Sequence, residues 1–230
     1  MIGCNKEKKI FEAVIFDWDG TLADTRDAIV LSFQKLLGGL GCRVSDAYLE
    51  KQIGIGARNM LKNALATSKM SFNDKDIDKL MEEYKNYRVK LADQVELFNG
   101  VRDLLSSLFT KVKIGLATMS NRKIINIYLK KTGIRHFFDN VITADEVQLP
   151  KPDPQIFLEC AMSLKCHPER CVVLEDSIYG IIAARKANMK CIAIPSGAYS
   201  VEKLRTENPD LIVFSINDKE KILNFVLRAN

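Results

Sequence analysis

No CxxC pair occurs in this chain of 230 residues, and neither of its two histidines, His136 and His167, stands at zinc-finger spacing from a cysteine. A structural zinc site is therefore not what organises it. The six cysteines (Cys4, Cys42, Cys160, Cys166, Cys171, Cys191) fall repeatedly in apolar contexts such as "CVVL" and "CIAI", where cysteine serves as a small core side chain. They read as reduced thiols of a cytoplasmic protein, not as a disulfide framework. No apolar run approaches the roughly 18 residues that a membrane span requires. The opening "MIGCNKEKKI" has no apolar stretch of the secretory kind. Long blocks of one charge are missing too. The net charge of +5 is scattered through short runs such as "KEKK" (6–9) and "LKK" (129–131), the pattern of solvated faces and not of a nucleic-acid-binding arm. Repeats and low-complexity segments are absent. What remains is ordinary: 47% hydrophobic and 27% charged residues, enough at this length for a core domain plus a smaller one.

Short apolar runs alternate with amphipathic stretches. The candidate strands are "AVIF" (13–16), "KIGLA" (113–117), "NVIT" (140–143), "CVVLE" (171–175), "CIAIP" (191–195) and "LIVF" (211–214). Their continuous hydrophobicity suits strands covered on both faces. Between them, residues 121–132 carry a helix start at Asn121 and stop signals at Lys130, Lys131 and Gly133. Residues 154–164 open with Asp153 as cap and Pro154 at the first helical position. Residues 177–187 place Ile178, Ile181 and Ile182 on one face. This alternation predicts an α/β fold with a doubly wound, Rossmann-like parallel sheet. One block breaks it. From about residue 25 to 94 only helical spacing is seen, with Ile29, Val30, Phe33, Leu36, Leu37 and Leu40 in one stripe and Ile77, Leu80, Met81, Tyr84, Tyr87 and Leu91 in another. The expected division is a core of 1–24 and 95–230 and an inserted helical cap of 25–94.

Ligands of open parallel sheets bind beyond the carboxyl ends of the strands. The polar residues expected there are Asp17 and Asp19, Thr118 and Ser120, Lys151, and Glu175 with Asp176. Each alone reads as a turn, cap or solvated residue. Together they bring carboxylates, a hydroxyl and an ammonium from separate loops to one crevice. Crowded carboxylates repel, and a hard divalent cation relieves them. Mg²⁺ takes oxygen ligands and commonly sits beside phosphate. Lys151 can neutralise a phosphate oxygen, and Thr118 with the amides that open helix 121–132 makes an anion site. One carboxylate can then attack phosphorus while its neighbour moves the proton.

The pieces "DWDGT" (17–21), "ATMS" (117–120), "KPDP" (151–154) and "LEDS" (174–177) resemble, in order and spacing, the motifs of the haloacid-dehalogenase-like superfamily. The resemblance covers nearly the whole chain, with 25–94 as that family's helical cap. It implies a Mg²⁺-dependent enzyme with Asp17 as nucleophile and metal ligand. Asp19 would protonate the leaving oxygen and then activate water, its carbonyl also binding metal. Thr118, Met119 and Lys151 would hold phosphoryl oxygens. Asp176 would ligate Mg²⁺, with Glu175 ligating or acting through water. Trp18 would lend its amide, its ring serving packing. Dehalogenases of this superfamily lack an aspartate at the position of Asp19, so its presence points to phosphate esters.

The resemblance therefore implies a phosphatase for a small phosphorylated metabolite, phosphoglycolate or a sugar phosphate, while the scattered charge and short apolar runs predict neither nucleic acid nor membrane as partner, and the expected state is monomer or homodimer. The alternative is a sugar phosphomutase, since "LEDSIYGIIAARKANM" (174–189) resembles β-phosphoglucomutases. Those enzymes carry a cap histidine where Ile29 stands here. "IGIGARNMLKNAL" (53–65) and "YRVKLADQVELFNGV" (87–101) resemble the cap of phosphoglycolate phosphatases, with Asn99 replacing their proline. Gly54-Ile55-Gly56 is a cap loop and not a dinucleotide loop, because Asn59 stands where a third glycine is needed. Arg58 is the cap candidate for an anionic substrate group. Asn188 replaces a glycine of the relatives and suits a left-handed backbone. Asp24 and Thr25 are expected at the hinge. His136 and His167 match no motif.

Overall fold

The computed structural model describes residues 11–227. Cys4, the 6–9 basic run and the opening "MIGCNKEKKI" lie outside them. Among the described residues the strands are β1 (Ala13–Phe16), β2 (Ala23–Asp24), β3 (Glu96–Leu97), β4 (Lys113–Ala117), β5 (Asn140–Ile142), β6 (Cys171–Glu175), β7 (Lys190–Ala193) and β8 (Leu211–Ile212). The helices are α1 (Arg26–Gly39), α2 (Asp46–Glu50), α3 (Ala57–Thr67), α4 (Asp74–Lys90), α5 (Val101–Leu108), α6 (Arg122–Thr132), α7 (Gln155–Ser163), α8 (Ile178–Lys186), α9 (Val201–Arg205) and α10 (Lys219–Leu227).

Six strands form one parallel sheet in the order β5-β4-β1-β6-β7-β8. The expected doubly wound sheet is thus present. Every residue of β1 is buried, because alternate side chains feed opposite layers. Val14 and Phe16 join α5, α6 and α10 on one face, while Ala13 and Ile15 join α7, α8 and α9 on the other. The strand order reverses beside β1, where a crevice opens between the carboxyl ends of its neighbours. No helix among the described residues is long and apolar enough to cross a membrane. The five described cysteines are buried thiols.

Local signals set most boundaries. Asn121 accepts a hydrogen bond from the Lys123 amide and Gly133 ends α6 at φ 68°. Asn188 takes φ 59°, as its side chain allows. Helix α7 begins one residue later than the Asp153-Pro154 signal suggests. Pro154 sits in the cap position, and Asp153 caps by accepting from the Gln155 amide at 2.9 Å. In α8 the buried face is Gly180, Ile181, Ala183 and Ala184, with Ile178 and Ile182 only partly covered. Small residues win that face because α8 lies close against β6 and β7. β8 keeps only Leu211–Ile212 of "LIVF", since an edge strand has one neighbour and Phe214 has already turned out to 67% exposure.

The block after β1 is helical, as expected. Helices α1 to α4 share an apolar cluster of their own, with Phe33 against Tyr84 at 4.4 Å between ring centres. Leu91 leaves that stripe and packs on the main core instead. The block is joined at both ends by the β2–β3 ribbon, in which Ala23 pairs with Leu97 and Asp24 with Glu96. Strands of two residues carry no periodic signal, so sequence patterning passes over them.

Candidate active site

Asp17 leaves β1 at the crevice, its amide still donating to the Leu174 carbonyl of β6 at 3.1 Å. The chain then turns tightly: Gly20 has φ 84°, and the amides of Thr21 and Leu22 return to the Trp18 carbonyl. A β-carbon on Gly20 would overlap the Asp176 carboxylate, so glycine both permits the turn and leaves room for the acid. Trp18 is fully buried and stacks on Tyr128 of α6 at 5.8 Å, so its ring packs, as the sequence suggested.

The one-residue spacer sends the two aspartates to different partners. Asp17 faces Lys151, which donates to it at 2.7 Å and to Glu175 at 2.6 Å. Carboxylate oxygens of Asp17, Glu175 and Asp176 lie within 4.8 Å of one another, all buried. Asp176 Oδ1 accepts from Thr21 at 2.9 Å. Glu175 Oε2 accepts from the amides of Asp176 and Ser177 and the Ser177 hydroxyl, while its Oε1 takes Lys151. Asp19 turns away from this trio. Its Oδ2 accepts from Ser120 at 2.6 Å and Thr118 at 3.3 Å, and its Oδ1 meets Arg88 of α4 at 3.4 Å.

Among the described residues, the amides of Trp18, Asp19 and Met119 donate to no protein acceptor. They border the aspartates and are free to meet an anion. At the start of α6 three amides are already engaged, so fewer remain for the anion site that the sequence reading places there. Those of Ser120, Arg122 and Lys123 are taken by Thr118, Asp145 and Asn121. A cavity of about 570 Å³ extends from Asp17 and Asp19 to the helical block, lined by apolar residues such as Ile29, Ile55, Met60, Met81 and Met119. Arg58 is on its rim, at 42% side-chain exposure. It already pairs with Asp78 at 2.5 Å and Asp74 at 3.4 Å. His136 packs against Phe137 with its ring tilted by 38° and lies outside the site.

The electrostatics are unbalanced. Burial, opposed by Lys151 and reinforced by Glu175 and Asp19, pushes the Asp17 carboxyl up to about 8. Burial, then Glu175 and Asp17, push Asp176 well above the carboxylate range. Burial works against the Lys151 ammonium, yet Asp17 and Glu175 hold its pKa above the ordinary lysine value. Lys151 is ion-paired with two of the three buried carboxylates, Asp17 and Glu175, and the Oδ2 atoms of Asp17 and Asp176 accept from no described donor. An all-oxygen donor set short of positive charge fits a hard divalent ion.

Residues 14–194 match the model of the haloacid dehalogenase-like hydrolases. The chain belongs to that family. The fructose-1-phosphate phosphatase YqaB of Escherichia coli (strain K12) is 32% identical over 80% of this chain and 96% of its own. A phosphoglycolate phosphatase of Agrobacterium fabrum is 30% identical over 86% of each. The crystal structure of β-phosphoglucomutase from Clostridium difficile superposes with a TM-score of 0.85 at 30% identity, covering 94% of this chain and 99% of that one. The protein is an enzyme, a phosphatase of the haloacid dehalogenase-like hydrolases.

Two members of the site were not legible as such. Sequence patterning puts Ser120 after β4 without a role and passes over Arg88. Its signal was its position: Ile77, Leu80, Tyr84 and Arg88 continue one buried stripe, so a charge stands where an apolar residue is due.

Proposed function

We propose that the protein hydrolyses a small phosphomonoester, phosphoglycolate or a sugar phosphate, through an aspartyl-phosphate on Asp17. The observation that carries this reading is the buried meeting of Asp17, Lys151, Glu175 and Asp176 from separate strand-end loops. Asp17 attacks phosphorus while Asp19 passes a proton to the departing alcohol. Asp19 then takes a proton from water as the water oxygen attacks phosphorus and the bond to Asp17 breaks. Lys151, Thr118 and the amides of Trp18 and Met119 hold the equatorial oxygens. Mg²⁺ is the proposed cofactor, held by Asp17, Asp176 and the Asp19 carbonyl, and when bound it offsets the charge of phosphate and carboxylates. Glu175, already saturated with hydrogen bonds, supports that set through water and by aiming Lys151.

Residues 25–94 act as a cap on a core of 1–24 and 95–230, hinged at the β2–β3 ribbon beside Asp24 and Thr25. The Tyr199 hydroxyl, which donates to the Lys51 carbonyl at 2.5 Å, is one contact it would break on opening. Arg58 would reach a substrate anion by exchanging its aspartates. The cytoplasm is the proposed compartment, with the protein acting as a monomer or homodimer.

The test is a screen of small phosphomonoesters with and without Mg²⁺, repeated with Asp17→Asn. Turnover that survives that change refutes the reading. The mutase alternative draws on the β-phosphoglucomutase superposition. Against it, Ile29 lines the cavity and cannot transfer or gate a proton. Supplying β-glucose 1-phosphate with a bisphosphate primer separates them: rapid glucose 6-phosphate with little free phosphate favours the mutase.

Mg²⁺ should also stabilise the fold more at high pH than at low. Asp17 is raised from 3.8 to about 8, so the metal-free native state binds more protons than the unfolded chain between those values. Its stability from this group is therefore full below about pH 4 and is lost as pH rises through about 8. Metal replaces the proton, so its effect grows over the same window. Mg²⁺ at about a hundredfold its Kd adds about 2.7 kcal/mol, or roughly 5–10 °C in Tm for a protein of this size. Melting curves near pH 5.5 and 8.5 check this; equal increments at both would count against the site.

A further inference from the structure

We propose that Arg88 is a positioning residue for Asp19, so that the proton-transferring carboxylate is fully aimed only while α4 is seated on the core. This rests on the phosphatase reading above. Arg88 is 2% exposed, and a buried guanidinium is costly unless its partners repay the lost water. Its position continues an apolar stripe, where leucine or methionine would pack at less cost. The partners explain the choice. Nη1 donates to the Tyr84 hydroxyl at 2.8 Å, one turn earlier on α4. Nη2 donates to the Tyr128 hydroxyl of α6 at 3.1 Å and to Asp19 Oδ1 at 3.4 Å. Tyr128 in turn stacks on Trp18, the residue before Asp19. The guanidinium is thus anchored from the helical block by Tyr84 and from the core by Tyr128, and what it presents to the cavity is its contact with Asp19.

The two oxygens of Asp19 are held by different bodies. Core hydroxyls of Ser120 and Thr118 hold Oδ2, and α4 holds Oδ1. Withdrawing α4 removes one side of the clamp and leaves the carboxylate free to rotate about its side chain. Both proton transfers then lose alignment: the one to the leaving oxygen as its bond to phosphorus breaks, and the one from water as its oxygen bonds to phosphorus. Attack by Asp17 needs neither Arg88 nor a proton when the leaving group is already a stable anion.

That asymmetry supplies the test. With p-nitrophenyl phosphate and Mg²⁺, stopped-flow separates nitrophenolate release in the first turnover from the steady state, which includes hydrolysis of the aspartyl-phosphate. Arg88→Met should leave the first-turnover rate within about threefold and slow the steady state by about 10²-fold, at the lower end of what general acid–base catalysis contributes. Glycerol 2-phosphate, whose alkoxide needs a proton, should lose about 10²-fold in kcat with KM nearly unchanged. Arg88→Lys should recover at least tenfold of either loss. Tyr128→Phe keeps the stack and removes one anchor; it should show the same split at about threefold to tenfold, and it serves if Arg88→Met does not fold. Equal slowing of both phases, a change confined to KM, or no recovery with lysine would overturn the assignment. Asp17→Asn is the control: a burst that persists there refutes the phosphatase reading itself and not the role of Arg88.

Discussion

Replacing Asp17 by asparagine is expected to lower phosphate release from every substrate by on the order of 10⁴-fold or more, the scale on which removal of a covalent nucleophile is felt. The amide keeps the volume and one acceptor for Lys151 but cannot attack phosphorus. Asp17 is 5% exposed, with its oxygen 2.7 Å from the ammonium, so little else need move. The fold should survive, and the sign of the stability change can be stated. Without metal, ionised Asp17 is a buried charge whose carboxyl is raised to about 8. Asparagine has no charge to bury, so metal-free Asp17→Asn should match or exceed the parent in Tm above that pH. Malachite-green phosphate release and thermal melting check the two halves. Lost activity with a large fall in Tm would mean damage and not chemistry.

Lys151→Met is expected to cost both stability and rate. Lys151 is 1% exposed and is the ammonium shared by Asp17 and Glu175. Methionine fills the space but leaves two buried carboxylates facing each other. Breaking a buried ion pair in this way costs about 3–5 kcal/mol. The same change removes a donor aimed at the charge that develops on a transferring phosphoryl group, a loss of about 10²–10³ in kcat. Mg²⁺ should restore part of the stability, because the ion replaces some of the missing charge, and little of the rate. Urea unfolding with and without metal measures the first, and steady-state kinetics the second. A stability within about 1 kcal/mol of the parent would show that the carboxylates simply protonate instead.

Much of the fold is written in local chemistry. β1, β4 and β6 were bounded correctly because an unbroken apolar run ends in a polar residue. α6 was bounded by Asn121 and Gly133, whose side chain or lack of one acts on its own backbone. The β2–β3 ribbon leaves no periodic signal because its strands hold two residues each. Ile181 takes the packed face of α8 as its spacing predicts and Ile178 packs beside it, but close approach to the sheet gives the rest of that face to Gly180, Ala183 and Ala184.

The sequence by itself determined the parallel sheet, the helical block between residues 25 and 94, and the acids that leave β1 and β6. Turn, cap and period signals act between residues a few positions apart. Only the tertiary structure decided which charges meet. Lys151 reaches Asp17 across 134 positions and Arg88 reaches Asp19 across 69, while Arg58 spends its charge on Asp78 and Asp74. A charged side chain carries no local mark of its partner, and the pairing is set by where packed helices and strand ends bring each group.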